Sequence, residues 1–207
     1  MSGLYSYDNS FRGTGYARIA GLDEAGRGPL AGPVVAAAAV LPEGKIIKGL
    51  RDSKLIPEKD RKKIFERVIA SAIDVGVGIA DVETIENINI YQASRLAMRR
   101  ALEHLAGKPD LLLIDAVKLP EVPVAQVSII KGELHSASIA AASVVAKYIR
   151  DRLMAYYHEL YPQYGFDRHK GYCTKEHMEL VSKLGPCPIH RKTFNHVLTL
   201  ELPFDSD

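Results

Sequence analysis

Short apolar runs bounded by turn residues recur along the chain, and they alternate with longer amphipathic stretches. The run Tyr16–Leu22 predicts a strand that ends at Asp23, and Val34–Leu41 predicts a second strand, closed by a Pro-Glu-Gly turn. Further strands are predicted over residues 73–80, 111–114 and 124–130.

Helical patterns occupy most of the remaining chain. Pro57 followed by acids in the first turn predicts a helix that runs to about Ala72. The other helices are predicted over residues 82–89, 91–105, 136–161, 174–184 and 190–198. Early strands, then strand–helix alternation, then a helical C-terminal third indicate an α/β domain built around a mixed sheet. We expect a flexible leader over residues 1–14, one domain over 15–198 and a tail over 199–207.

Composition fits one globular domain, with 207 residues of which 47% are hydrophobic and 25% charged. The net charge of +2 favours no particular partner, but residues 147–196 hold nine Lys and Arg against five Asp and Glu, with five of the seven histidines. That stretch predicts either a basic face for a phosphate backbone or an ordinary solvated helical face.

The cysteines and the apolar runs indicate in which cellular compartment the protein is expected. Cys173 and Cys187 are the only cysteines and form no C-x-x-C pair, so no disulfide framework is expected. No apolar core marks a signal peptide near the N-terminus, and no charge-free run is long enough to span a bilayer. We therefore expect a cytoplasmic protein without membrane contact.

Two adjacent acids, Asp23 and Glu24, follow the first strand and precede a glycine-flanked arginine. Neighbouring side chains of a regular strand point to opposite faces, so the strand must end or twist for both acids to serve one site. The Gly26-Arg27-Gly28 turn supplies that break, and its exposed N–H groups suit a phosphate or a sugar.

Two further acids end or follow predicted strands. Asp115 closes the apolar run 111–114, and Glu133 follows the next strand. Each of the four acids alone also fits an ordinary turn or helix-cap residue. Together they predict carboxylates gathered at one sheet edge, where divalent cations would relieve their repulsion.

At this point the chain resembles the ribonuclease HII family over roughly residues 16–198. The resemblance is carried by segments in the family's order: 21–35 (GLDEAGRGPLAGPVV), 52–54 (DSK), the Ile114-Asp115 strand end, 138–147 (SIAAASVVAK), 169–174 (HKGYCT), 185–186 (GP) and 190–191 (HR).

The resemblance implies an RNase H-like mixed sheet flanked by helices, with a C-terminal helical extension. It implies cleavage of RNA in RNA–DNA hybrids and at single ribonucleotides within duplex DNA, with Mg²⁺ or Mn²⁺ held by Asp23, Glu24, Asp115 and Glu133. The family usually has Asp at the last position, so Glu133 adds one methylene. A two-metal site would give 3′-hydroxyl and 5′-phosphate ends.

The same resemblance assigns reading of the 2′-hydroxyl to the Gly26-Arg27-Gly28 turn together with Tyr172. Other candidate contacts to the substrate strands are Ser53, Lys54, Asn89, Ser143, Lys147 and Lys170. His169, His177 and His190 form no compact zinc pattern, so we expect a structural or a phosphate-adjacent role for them.

Two other functions stay open at this stage. Another RNase H-like nuclease, such as a junction resolvase, would share the clustered acids, and a nucleic-acid-binding module without catalysis would fit the Glu133 departure. We expect a monomer. The tail 199–204 (TLELPF) loosely resembles the segments by which bacterial replication proteins bind the sliding clamp, although an ordinary apolar tail that packs on its own domain is the favoured interpretation.

Overall fold

The computed structural model describes residues 3–194 and 197, with the side chain of Lys54 left out. The tail predicted to bind a sliding clamp lies outside the described residues. The strands are β1 Ile19–Ala25, β2 Val34–Val40, β3 Asp74–Ala80, β4 Leu111–Asp115 and β5 Ala125–Ile129. The helices are α1 Gly3–Arg12, α2 Glu58–Ser71, α3 Val82–Glu103, α4 Ala137–Leu160, α5 Phe166–His169 and α6 Lys175–Leu184.

The five strands form one mixed sheet in the order β3-β2-β1-β4-β5. β1 pairs antiparallel with β2 and parallel with β4, and β4 pairs parallel with β5. Helix α4 covers one face and α3 the other, so the all-apolar strand β2 is buried on both faces. The predicted α/β class with a mixed sheet is confirmed.

Helix α4 lies unusually close to β1 because the residues between them are small. A Cβ placed on Gly21 would lie 2.0 Å from the carbonyl carbon of Ser138, so only glycine fits at that position. The N-terminal half of α4 is rich in alanine, and these alanines are buried against the sheet. This close packing fixes where α4 presents its side chains relative to the end of β1.

The N-terminal residues differ from the expected flexible leader, since residues 3–12 form helix α1. Tyr5 accepts a hydrogen bond from the backbone N–H of Ile47 at 2.8 Å. The Asp8 carboxylate accepts bonds from the backbone N–H and the hydroxyl of Ser138, at 2.8 and 2.7 Å, and so caps the start of α4. These partners lie far away in sequence, which is why a local pattern did not reveal the helix.

Two helix predictions have different outcomes. The separate helices predicted over 82–89 and 91–105 are confirmed as two helical segments of α3 that meet at a kink at Asn89, where φ is 64° and ψ is 164°. The helix predicted over 190–198 does not form in the described residues 190–194, where His190 instead makes a bridge to Ala31 and turns follow. Within the described residues, no helix is both long and apolar enough to cross a membrane.

Candidate metal and nucleic-acid site

The acids predicted at the sheet edge come together through the register of β1 and β4. Leu22 pairs with Ile114 in this parallel ladder, so Asp23 and Asp115 each follow the last paired residue. Parallel neighbours lie about 4.8 Å apart, and paired positions face the same side of the sheet. Both aspartates therefore face α4 at the carboxyl edge of the sheet, where open α/β sheets build ligand sites.

Asp23 is only 6% exposed, and its pKa is strongly shifted by this environment. Burial raises the pKa of its carboxyl well above the ordinary value, and repulsion from Glu24 and then Asp115 raises it further. A hydrogen bond from Ser143 of α4 opposes this shift. The three carboxylates thus lie close enough for their charges to interact strongly.

Glu133 reaches the same edge through the loop after β5. The Asp115 carboxylate accepts a hydrogen bond from the backbone N–H of Gly132 at 2.8 Å, and Glu133 beside it is 5% exposed. Ala116 and Lys131, on either side of this bond, have φ values of 49° and 55°. Left-handed backbone at two non-glycine residues costs free energy, and such strain is concentrated at functional sites.

The described residues contain no group of three or more His, Cys, Asp or Glu in a geometry that could hold a metal ion. Local hydrogen bonds occupy part of the carboxylate set: Asp23 Oδ1 accepts from the N–H of Glu24 at 2.7 Å, and Arg27 lies 3.3 Å from Glu24 Oε1. The donors are nevertheless all hard carboxylate oxygens, which suit Mg²⁺ or Mn²⁺. To bind a shared cation, these carboxylates would have to give up their local hydrogen bonds and ion pairs and coordinate the ion instead.

The two glycines of the Gly26-Arg27-Gly28 turn differ in whether the fold itself requires glycine at that position. Gly26 has a φ of 100°, and a Cβ there would lie 2.2 Å from Nε of Arg150. A Cβ on Gly28 would meet nothing within 4 Å. In the described part of the chain, the N–H groups of Arg27 and Gly28 have no acceptor. The fold requires glycine at 26 but leaves the space beside 28 open.

Tyr172 lies on a loop that contacts the same turn. Its ring is 42% exposed, with Nζ of Lys147 at 5.5 Å and the guanidinium of Arg150 at 5.7 Å from the ring centre. The backbone N–H of Leu30 donates to the carbonyl of Gly171 at 2.8 Å. The turn and the tyrosine are therefore fixed relative to each other, with an aromatic face open to solvent.

Buried histidines support the Tyr172 loop from beneath. The N–H of Cys187 donates to Nδ1 of His190, so Nε2 of His190 carries the proton and donates to Nε2 of His177 at 2.9 Å. His177 Nδ1 then donates to the carbonyl of Tyr172 at 2.9 Å. In these described contacts the histidines act as a structural chain of neutral rings, as expected from the sequence.

The remaining predicted contacts lie at varying distance from the acids. Ser53 bonds Ser143 at 2.8 Å and thereby joins the Asp23 side of the site. Lys147 binds Asp151 at 2.6 Å, and Lys170 lies 3.1 Å from Glu58.

Two candidates are not brought to the acids by these contacts. Exposed Asn89 accepts bonds from the N–H groups of Tyr91 and Gln92 and so caps the second part of α3. The side chain of Lys54 lies outside the described residues.

Sequence reasoning missed two residues of this region, Arg150 and Arg191. Both are 0% exposed; Arg191 bonds the backbone of the turn at Gly26, and Arg150 bonds the backbone that follows the turn, at Ala31. Arg150 follows Ser143 and Lys147 at helical spacing, which was the available signal. The basic face predicted over 147–196 is correspondingly reduced, because these two charges are buried and Lys147 is paired with an acid.

Comparison with known proteins places this geometry in a family. The family model described as Ribonuclease HII matches residues 20–197. The chain is 52% identical to ribonuclease HII of Bacillus subtilis over 191 residues, which cover 92% of this chain and 74% of the relative. The relative from Bacillus pumilus is also 52% identical, over 92% of this chain and 75% of its own length. The chain belongs to the ribonuclease HII family.

Solved structures agree with this assignment. The ribonuclease H2 of Pyrococcus horikoshii matches with a TM-score of 0.75 and 26% identity, covering 89% of this chain and 97% of that one. A ribonuclease HIII designated Bst, solved in complex with Mn²⁺, matches in fold with a TM-score of 0.64 at 19% identity, covering 88% of this chain and 68% of that one. The chain is thus an endoribonuclease of a family that cleaves RNA in RNA–DNA hybrids and whose wider class depends on divalent metals.

Proposed function

We propose that this chain cleaves the RNA strand of RNA–DNA hybrids and also cuts at single ribonucleotides embedded in duplex DNA, using two divalent cations. The observation that carries the proposal is the meeting of Asp23 and Asp115 where the β1–β4 ladder ends, since burial and then repulsion from Glu24 and Asp115 raise the pKa of Asp23. Such a charge cluster is costly without a cation.

The proposed metal ligands are the carboxylates of Asp23, Glu24, Asp115 and Glu133. When bound, divalent ions would activate a water for in-line attack and stabilise the leaving 3′-oxygen, giving 3′-hydroxyl and 5′-phosphate ends. The protein's part is to hold four acids at one edge through β1, β4 and the strained loop before Glu133. The oxygen donors suit Mg²⁺ and Mn²⁺, and the extra methylene of Glu133 bears on the choice between them.

The proposed reader of the ribonucleotide is the turn with Tyr172. The outward N–H groups of Arg27 and Gly28 can donate to a sugar oxygen, and the open space beside Gly28 allows the strand to approach the backbone closely. The exposed Tyr172 ring offers a stacking surface for a sugar or base.

The proposed contacts to the phosphate backbones are Arg27, Ser53, Lys54, Asn89, Ser143, Lys147 and Lys170. Lys147 and Lys170 lie on the Tyr172 side and hold carboxylates in the free protein. A phosphate would replace those carboxylates as the partner of each ammonium group.

The decisive experiment uses a DNA duplex that carries one ribonucleotide, with Mg²⁺ and Mn²⁺ compared. Cleavage beside the ribonucleotide that disappears with EDTA and in Asp23→Asn supports the proposal, and product ends are read by phosphatase and ligase treatment. Cleavage of four-way junctions instead would favour the junction resolvase. Binding without cleavage would favour a binding module.

We also propose a contact of the C-terminal tail with a replication sliding clamp. A pulldown comparing the full chain with a truncation after Thr199 tests it, and equal clamp retention by both would exclude the tail as the binding segment.

A further inference from the structure

The Gly26-Arg27-Gly28 turn is the start of a longer turn, residues 26–33, that joins β1 to β2. Arg150 of α4 lies beneath the end of this longer turn and is completely buried. Its Nε donates to the carbonyl of Pro33 and its Nη2 to that of Ala31, each at 3.1 Å. Its Nη1 donates to the carbonyl of Lys170 at 3.0 Å, so one guanidinium joins the longer turn to the loop that carries Tyr172.

Arg191 lies beneath the other end of the same turn and is also completely buried. Its Nε donates to the carbonyl of Gly32 and its Nη1 to that of Arg27, each at 2.9 Å. Its Nη2 donates to the carbonyls of Gly26 and Gly32. The backbone of the turn is thus bound at Gly26 and Arg27, the two residues that precede the outward N–H groups.

Holding the turn with these two cations costs free energy, because both charges are removed from water. Neither has a carboxylate partner among the described ion pairs. Burial, together with repulsion from Arg150, lowers the pKa of Arg191 to about 9. Removing a charge from water costs free energy, so the presence of two buried cations favours a role beyond stability.

Peptide geometry shows what that role is. All peptide bonds in the described chain are trans, and in a trans peptide the C=O of one residue points opposite to the N–H of the next. Because Arg191 draws the carbonyls of Gly26 and Arg27 inward, the N–H groups of Arg27 and Gly28 must point outward.

We propose that Arg191 and Arg150 are positioning residues for ribonucleotide recognition: Arg191 aims the N–H groups of Arg27 and Gly28 at the substrate sugar, and Arg150 holds the later part of the same longer turn, at Ala31 and Pro33, against the loop that carries Tyr172. The inference rests on the proposed reading of the ribonucleotide by that turn. Lysine cannot replace either residue, because its single ammonium lacks the planar fork that bonds several carbonyls.

The test measures discrimination in binding, separately from catalysis. With EDTA present, the dissociation constants for an all-DNA duplex and for the same duplex with one ribonucleotide give a discrimination ratio. In Arg191→Lys and Arg150→Lys we expect this ratio to fall about tenfold, the value of one net hydrogen bond, while affinity for the all-DNA duplex stays unchanged. Arg168→Lys, at an exposed arginine paired with Glu176, is the matched control and should keep the ratio.

A ratio that stays at the wild-type value in a folded Arg191→Lys protein would overturn the inference while leaving the proposed function intact. If the wild-type protein shows no preference for the ribonucleotide duplex, the proposal that the turn recognises the ribonucleotide would itself be wrong. If the lysine variants do not fold, amide hydrogen exchange of the wild-type protein tests the inference instead. We expect the N–H groups of Arg27 and Gly28 to exchange fast in the free protein and to be protected by the ribonucleotide duplex alone, and equal protection by all-DNA duplex would overturn the inference.

Discussion

The acidic edge, formed by Asp23, Glu24, Asp115 and Glu133, and the arginine-held turn of residues 26–33 lie side by side but are built on opposite principles. At the acidic edge, like charges repel one another, and the rigid ladder of β1 and β4 holds them together. At the turn, buried cations bond backbone carbonyls directly. The acidic edge therefore reduces stability in exchange for a cation site, whereas the turn contributes to both the fold and recognition.

The largest expected effect is at the acidic edge, where Asp23→Asn should separate activity from stability. Cleavage should fall by about 1000-fold or more, as for loss of a group that stabilises the transition state. Without divalent ions the variant should be more stable by on the order of 1 kcal/mol, because a buried charge and its repulsion with Glu24 are removed. Single-turnover cleavage and urea unfolding in EDTA measure the two quantities.

Asp60→Asn, at an exposed acid in the first turn of α2, is the control and should change both quantities little, within about 0.5 kcal/mol in stability. A less stable Asp23→Asn protein in EDTA would show that repulsion at this edge does not dominate, and the contrast with the turn would fail.

The turn offers a matched pair in Gly26→Ala and Gly28→Ala. Alanine at 26 combines a φ of 100° with a clash against Arg150, so we expect a loss of about 2–3 kcal/mol in unfolding free energy. Alanine at 28 meets no protein atom, so stability should change by less than about 0.5 kcal/mol. Cleavage at a single ribonucleotide should nevertheless fall by about 100-fold in Gly28→Ala, because its methyl group displaces the strand.

Denaturant unfolding and kcat/KM for the embedded-ribonucleotide duplex read out this pair. Full activity in Gly28→Ala would mean that no strand approaches the turn closely, and recognition would have to be assigned elsewhere.

Tyr172→Ala should have a smaller effect, confined to recognition. Loss of a stacking surface worth about 1–3 kcal/mol predicts a fall of about 5- to 150-fold in kcat/KM at a single ribonucleotide. The fold should persist because Tyr172 lies at the surface, with 42% of the residue exposed. Tyr172→Phe keeps the ring and should retain most of the activity; a Phe variant as impaired as Ala would assign the recognition to the hydroxyl instead.

Asp23 and Asp115 could be placed at one edge from sequence because each directly follows an apolar run, and neighbouring parallel strands end at the same edge of a sheet. The arginines could not, because charge counting treats every arginine as solvated. Arg150 and Arg191 are buried because carbonyls that lie mostly more than 100 positions away accept their hydrogen bonds, with separations of 117 for Arg150–Pro33 and 159 for Arg191–Gly32. Helix α1 was missed for the same reason, since its partner Ser138 lies 130 positions from Asp8.

The smallest effect concerns the histidines beneath Tyr172, which link the turn side of the site to pH. Burial lowers the pKa of His177 and of His190 to about 4, against an ordinary value of 6.5. Between these two pH values the unfolded chain binds protons at these histidines that the folded protein does not bind. The histidine contribution to the free energy of unfolding is therefore complete above about pH 6.5 and is lost as the pH falls toward 4.

His177→Asn, which retains a nitrogen donor toward the Tyr172 carbonyl, should therefore show a shallower loss of unfolding free energy between about pH 6.5 and 5 than the wild type. The aspartates with raised pKa act in the opposite direction but are common to both proteins, so the difference between the two slopes isolates the histidine contribution. Equal slopes would mean that His177 gains its proton as readily in the folded protein as in the unfolded chain, and the neutral histidine chain could not be what supports the tyrosine loop.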